Sequence, residues 1–132
     1  MASIFTKIIN GDIPSYKIAE DENYFAFLDI NPMSKGHTLV VPKKEVDYIF
    51  DLPDDNYQGL MTFSKKVGAA IEAVIPCNRI GMMVFGLEVP HAHVHLIPIN
   101  DTMDMSITKP KLKFPKEEFE QIAKQVSSKM IY

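Results

Sequence analysis

Three of the four histidines of this chain fall within five residues, in the run His91-Ala92-His93-Val94-His95-Leu96-Ile97-Pro98. Successive side chains of a β-strand point to opposite faces, so His91, His93 and His95 share one face while Ala92, Val94 and Leu96 share the other. A strand of this kind has to lie between a core and a site. One histidine on a strand reads as a structural residue; three in period-2 register, backed by an unbroken small apolar face, point to chemistry.

The rest of the chain supplies the layers that such a strand needs. Apolar positions 4, 5, 8 and 9 give a short helical pattern closed by Asn10-Gly11. Tyr16–Glu20 and Tyr24–Leu28, separated by Asp21-Glu22-Asn23, read as a hairpin, and Asp29–Gly36 as a loop. His37–Val41 reads as a strand stopped by Pro42, and Lys43–Leu52 as a short helix. A longer helix follows, with Asp54 and Asp55 in its first turn and the stripe Leu60, Phe63, Val67, Ile71 and Val74 facing the sheet; Pro76 ends it. Arg79–Phe85 and His91–Ile97 are the last strands, Asn100–Phe114 is loop, and a helix over about 115–130 packs through Phe119, Ile122, Val126 and Met130. About five mainly antiparallel strands, one main helix and a C-terminal helix make an α+β fold, in one domain over 1–132.

Composition narrows the partners. A net charge of -3, with no Lys/Arg stripe, argues against a nucleic-acid polymer. No stretch approaches the roughly 18 apolar residues of a membrane span, and the N-terminal segment lacks a signal peptide's apolar run, so a cytoplasmic protein with no membrane partner is expected. The lone Cys77 has no internal partner for a disulfide.

The His-x-His-x-His run followed by two apolar residues resembles the signature of the histidine-triad (HIT) family of nucleotide hydrolases and transferases. Ile4–Ile9 with Ile13-Pro14, Phe25–Pro32, and Lys35–Lys43 resemble that family in the same order, so the likeness covers roughly residues 3–98. The resemblance implies a HIT-like fold, a homodimer, a purine nucleotide substrate, no cofactor and no catalytic metal. It makes His93 the nucleophile that attacks an α-phosphorus and forms a covalent nucleotidyl-histidine, with its tautomer fixed by the main-chain carbonyl of His91. His95 and His37 would then serve the phosphate side. The same resemblance sets Asp29 against the ribose hydroxyls and Ile4, Phe5, Ile8, Phe27 and Ile30 around the base. From the residues alone, Asp29 is equally a turn former before Asn31-Pro32, and the apolar stripe is plain core.

Departures from the family fall near the phosphate. The segment before the triad is only Phe85-Gly86-Leu87-Glu88-Val89-Pro90, with Leu87 where glutamine is usual and Glu88 at or near a small-hydroxyl position. A carboxylate there either opposes the phosphate or turns to solvent. No basic residue follows the triad strand, which runs on through Ile99-Asn100. Two other functions compete: a non-catalytic purine nucleotide module and a histidine-ligated metal site. For the second, positions i and i+4 of a strand lie about 13 Å apart. That is the limit of two imidazole arms with metal–nitrogen bonds of about 2.1 Å, so only two triad histidines with His37 could share an ion.

Overall fold

Alternation along the strands decides which layer each side chain joins, and it gives the sheet two unequal faces. The computed structural model describes residues 2–132. Its strands are β1 (Lys17–Glu20), β2 (Tyr24–Leu28), β3 (Thr38–Pro42), β4 (Arg79–Met83) and β5 (Val94–Ile99), and its helices α1 (Ile4–Ile9), α2 (Asp54–Glu72) and α3 (Lys116–Ser128). The strands form one antiparallel sheet in the order β1-β2-β3-β5-β4. The expected α+β architecture is the one observed.

On the main face Ala26, Leu28, Val40, Val94 and Leu96 meet Leu60, Phe63, Val67 and Ile71 of α2 and Phe119, Ile122 and Val126 of α3. Leu60, Val67, Ile71 and Val126 are fully buried, as the spacings of three and four require. Val74 lies beyond the end of α2 but still packs on this core. The other face carries a smaller cluster of Phe5, Phe25, Phe27, Leu39 and Val41. Strand β2 is buried on both faces, which is why it reads as an unbroken apolar run. The hairpin turn is closed by Asp21, whose Oδ1 accepts from the N–H groups of Asn23 and Tyr24, both at 2.8 Å.

Two expected elements take another form. Instead of a helix, residues 43–52 form an irregular, bending segment with a single 3₁₀ turn at Ile49–Asp51. Tertiary partners take their polar groups: Val46 O accepts from Ala92 N at 2.7 Å, Lys43 N donates to Asn23 O at 2.8 Å, and Glu45 Oε1 accepts from Ser3 N at 2.8 Å. For the same reason β5 begins at Val94 and not at His91, because Ala92 N is held by Val46 outside the strand ladder. The alternation nonetheless continues backwards, with Ala92 in the main core. The 100–114 loop contains one 3₁₀ turn, Thr102–Met105, closed by a reciprocal cap between Asp101 and Asp104.

The contact between α2 and the hairpin yields a paired prediction. A Cβ at Gly59 would collide with the hydroxyl of Tyr24, a buried ring whose O–H donates to Asn56 O at 3.1 Å. Gly59→Ala should therefore cost about 1–3 kcal/mol, more than the roughly 1 kcal/mol of helix propensity it gains. A Cβ at Gly68 meets nothing nearer than Ile80 at 3.9 Å. Gly68→Ala should stabilise by about 0.5–1 kcal/mol. Urea unfolding of the two variants measures both, and equal signs would contradict this packing.

Candidate active site

The histidine face of β5 lies opposite α2 and α3, and three neighbouring segments furnish its partners. His95 is paired with Leu39 of β3 on one side and Met83 of β4 on the other. His37 sits just before β3, where the chain turns through Gly36 at φ +94°, a conformation that favours glycine. His37, His91 and His93 are buried and His95 is partly exposed.

Hydrogen bonds determine where each neutral imidazole carries its proton. The main-chain N–H of Met33 donates to His37 Nδ1 at 3.0 Å. A nitrogen that accepts has no proton, so His37 is protonated on Nε2, which donates to His95 Nδ1 at 2.9 Å. His95 in turn holds its proton on Nε2. His91 Nε2 lies 2.7 Å from Pro42 O, an atom that can only accept, so His91 Nδ1 is the unprotonated nitrogen and accepts from Ser3 Oγ at 2.7 Å. His93 Nδ1 donates to the His91 carbonyl at 2.8 Å, leaving the lone pair of Nε2 for chemistry.

Burial is the main reason these rings are neutral. It pushes His37 down to about 3, assisted by His95 and Lys111, and His95 down to about 4, assisted by His93 and Lys111. It also lowers His91 and His93, against the opposing pull of their bonds to Pro42 O and His91 O. Asp29 moves the other way: burial raises its carboxyl, while the N–H of Asn31 and the charge of Lys111 counteract. Asp29 Oδ2 is 3.6 Å from His37 Nε2, but that proton is already given to His95 and the ring is uncharged, so the two are not an ion pair.

These groups open onto a cavity of about 270 Å³, near the lower limit for small-ligand sites. Asp29, His37, Glu88, His93 and His95 line it, together with Met33, Phe85, Ile107 and Lys111. Ligand atoms of Asp29, His37 and His95 lie within 4.8 Å of one another, a spacing from which a cation could be held, with His91 and His93 outside the cluster. The His37–His95 hydrogen bond would have to break to admit the ion.

Comparison with known proteins decides the family. The HIT domain matches residues 10–102. The chain belongs to the histidine-triad family. An uncharacterised HIT-like protein of Methanocaldococcus jannaschii is 46% identical over 102 residues, covering 72% of this chain and 77% of its own length. The adenosine 5'-monophosphoramidase hnt1 of Schizosaccharomyces pombe is 36% identical over 133 residues, covering 98% of this chain and 99% of the relative. A crystal structure of a HIT-like protein from Bartonella henselae superposes with a TM-score of 0.86 at 30% identity, over 97% of this chain and 96% of that one.

Within this HIT fold the expected site residues divide into two groups. All four histidines, Asp29 and Glu88 gather at one cavity, except that the His91 ring is withdrawn behind it. The five apolar residues expected around a base stand apart from the cavity. Phe5 and Phe27 belong to the smaller core, where the Phe5 ring meets His93 edge-on at 5.0 Å and Ile8 packs alongside. Ile4 and Ile30 are exposed. Ser3, Met33 and Lys111 escape a reading of the sequence. Ser3 carries a helix-cap signal and does accept from Thr6 N at 3.0 Å, but nothing in the sequence couples it to His91.

Burial of four uncharged imidazoles makes stability depend on pH. The unfolded chain takes up protons near the ordinary histidine value of 6.5, whereas folded His37 and His95 wait until about 3 and 4. Between those limits the unfolded state binds more protons, so stability should fall as pH drops from 7 towards 4, by up to about 1.4 kcal/mol per pH unit for each fully differential group. Asp29, raised on folding, opposes this in its own lower range. Thermal melts at pH 7, 6 and 5 should show a falling Tm, with a shallower fall for His37→Gln; a pH-independent Tm would refute the assignment.

Proposed function

We propose that this protein is a nucleoside phosphoramidase that works through a covalent nucleotidyl-histidine on His93, in the cytoplasm and without a cofactor or metal. The observation that carries this reading is the 2.8 Å bond from His93 Nδ1 to the His91 carbonyl, which leaves Nε2 unprotonated at the cavity. His93 Nε2 attacks the α-phosphorus, the P–N bond breaks, and the amine leaves with a proton taken from solvent. The adduct is a cationic phosphoryl-imidazole, which water cleaves to release the 5'-phosphate and restore His93. His95, donating from Nε2, stabilises the charge that develops on the phosphoryl oxygens, and His37 holds His95 in that tautomer. The names of the fission-yeast relative and of two further yeast relatives, all adenosine 5'-monophosphoramidases, support the phosphoramidate.

On this reading Asp29 accepts from the ribose hydroxyls, and a purine lies toward Ile4, Ile8 and Ile30, over the Phe5–Phe27 layer. The chain acts as one domain and as a homodimer. Supporting the dimer, β4 is a sheet edge flanked by exposed Met82, Val84, Phe85, Tyr48 and Phe50.

Incubation with an adenosine phosphoramidate, quenched in acid and read by mass spectrometry, should reveal an adenylyl adduct in the wild type and none in His93→Ala, whose turnover should fall by at least about a thousandfold. A His93→Ala variant retaining a tenth of wild-type kcat/KM would rule out the covalent route, and nucleotide binding without any adduct or turnover would leave a binding module. Asp29→Ala should raise KM for ribonucleotides about ten- to a hundredfold and leave 2',3'-dideoxy analogues nearly unchanged. Equal losses for both sugars would make Asp29 a turn residue.

The dimer is checked by light scattering after gel filtration. Twice the chain mass is expected for the wild type, and a shift towards the monomer for Met82→Glu. A wild-type monomer at micromolar concentration would discard the pairing.

A further inference from the structure

A phosphoryl substrate entering this cavity meets an unfavourable balance of charge. Burial disfavours the charged form of all four imidazoles, two carboxylates, Asp29 and Glu88, line the walls, and Asn100-Asp101, not a basic residue, directly follow β5. Among the described residues the one cation lining the cavity is Lys111. It arrives from a segment remote in sequence, strapped over the site: Leu112 N donates to Pro32 O at 2.9 Å, beside the Asp29 loop, and Lys109 Nζ pairs with Asp104 at 3.0 Å. Ile107 of the same strap also lines the cavity. Lys111 Nζ donates to Ile107 O at 3.2 Å, a bond that uses one of three ammonium protons and leaves two for a ligand.

Resting on the nucleotide reading above, we propose that Lys111 is the cationic phosphate-binding residue of this site, beside the neutral donor His95, and that one cation against two carboxylates makes the site select substrates with a single negative charge at phosphorus over polyphosphates. Lys111 lines the same cavity as Asp29, His37, His93 and His95, so it shares that space with the carboxylate proposed for the sugar and the histidines proposed for the phosphoryl group. An ammonium is well suited to this position. It is a compact point charge on a flexible stem, able to follow a phosphoryl group as its geometry changes, and it makes charge-assisted bonds to phosphate oxygens. The strap thereby becomes a specificity element, while β5 keeps the nucleophile.

Calorimetric titration at low salt separates the outcomes, with AMP, adenosine and inorganic phosphate as the probes. Lys111→Ala should weaken AMP by about 5- to 20-fold, the range of one charge-assisted bond at a partly solvated site, and adenosine by less than about twofold. Lys111→Arg should restore most of the AMP affinity, and AMP binding to the wild type should fall more steeply with salt than binding to Lys111→Ala. Unchanged AMP affinity in Lys111→Ala, or equal losses for AMP and adenosine, overturns the proposal, the latter because it marks the strap as merely structural. A wild type that binds neither AMP nor adenosine defeats the nucleotide reading instead. Inorganic phosphate then decides Lys111 alone: affinity lost in Lys111→Ala upholds the role, and affinity retained overturns it. For the selection by charge, Glu88→Gln should improve binding of a dinucleoside tetraphosphate more than that of AMP, and the same gain for both would overturn that part.

Discussion

Burial, nearly complete for three of the imidazoles and partial for His95, favours their neutral form, and a neutral imidazole has one proton to place on two nitrogens. That constraint organises the site. Three of the rings are offered a partner whose role is chemically fixed, a main-chain N–H for His37 and main-chain carbonyls for His91 and His93, and His95 takes its proton position from His37. These three backbone groups cannot change from donor to acceptor, so the proton positions follow without reference to any substrate. Preorganisation of this kind removes the need to reorient rings during reaction, which is where electrostatic catalysis gains most.

The backbone that supplies these groups is in turn set by the sheet. Pro42 ends β3 with its carbonyl free to accept from His91, and the His91 carbonyl is turned towards His93 because the chain there has left the β5 ladder for Val46. The two faces divide the labour. The larger cluster, under α2 and α3, fixes β5 through Val94 and Leu96, while the smaller aromatic cluster supports the rings of His91 and His93 from behind through Phe5. A HIT-family chain of this size keeps its polar network on the thinly covered face, where a ligand can reach it.

Much of this was legible in the sequence, for a physical reason. Period-2 alternation in His91–Leu96 and the three-four spacing of α2 are local patterns that burial converts directly into structure. The hairpin and the Asp29–Gly36 loop were equally plain from their turn residues. Residues 43–52 misled because their polar groups are used by Ser3, Asn23 and Ala92, which are distant in sequence, and no local propensity registers that. Lys111 was invisible for the same reason: one lysine in a polar loop carries no pattern until the chain folds back over Pro32. The apolar stripe of Ile4, Phe5, Ile8, Phe27 and Ile30 shows the opposite limit, since apolar character alone cannot tell a core residue such as Phe27 from a surface one such as Ile30.

The bond from the Met33 N–H to His37 means that part of the site belongs to no side chain at all. Alanine scanning through 29–36 would replace every side chain around that donor and leave the donor in place. The loop's hold on the order His37–His95 would register only with a change to the main chain itself, a proline at 33 or an ester in place of the amide. A map of functional positions built from side-chain truncation would therefore miss the main-chain group from which the His37–His95 pair takes its direction.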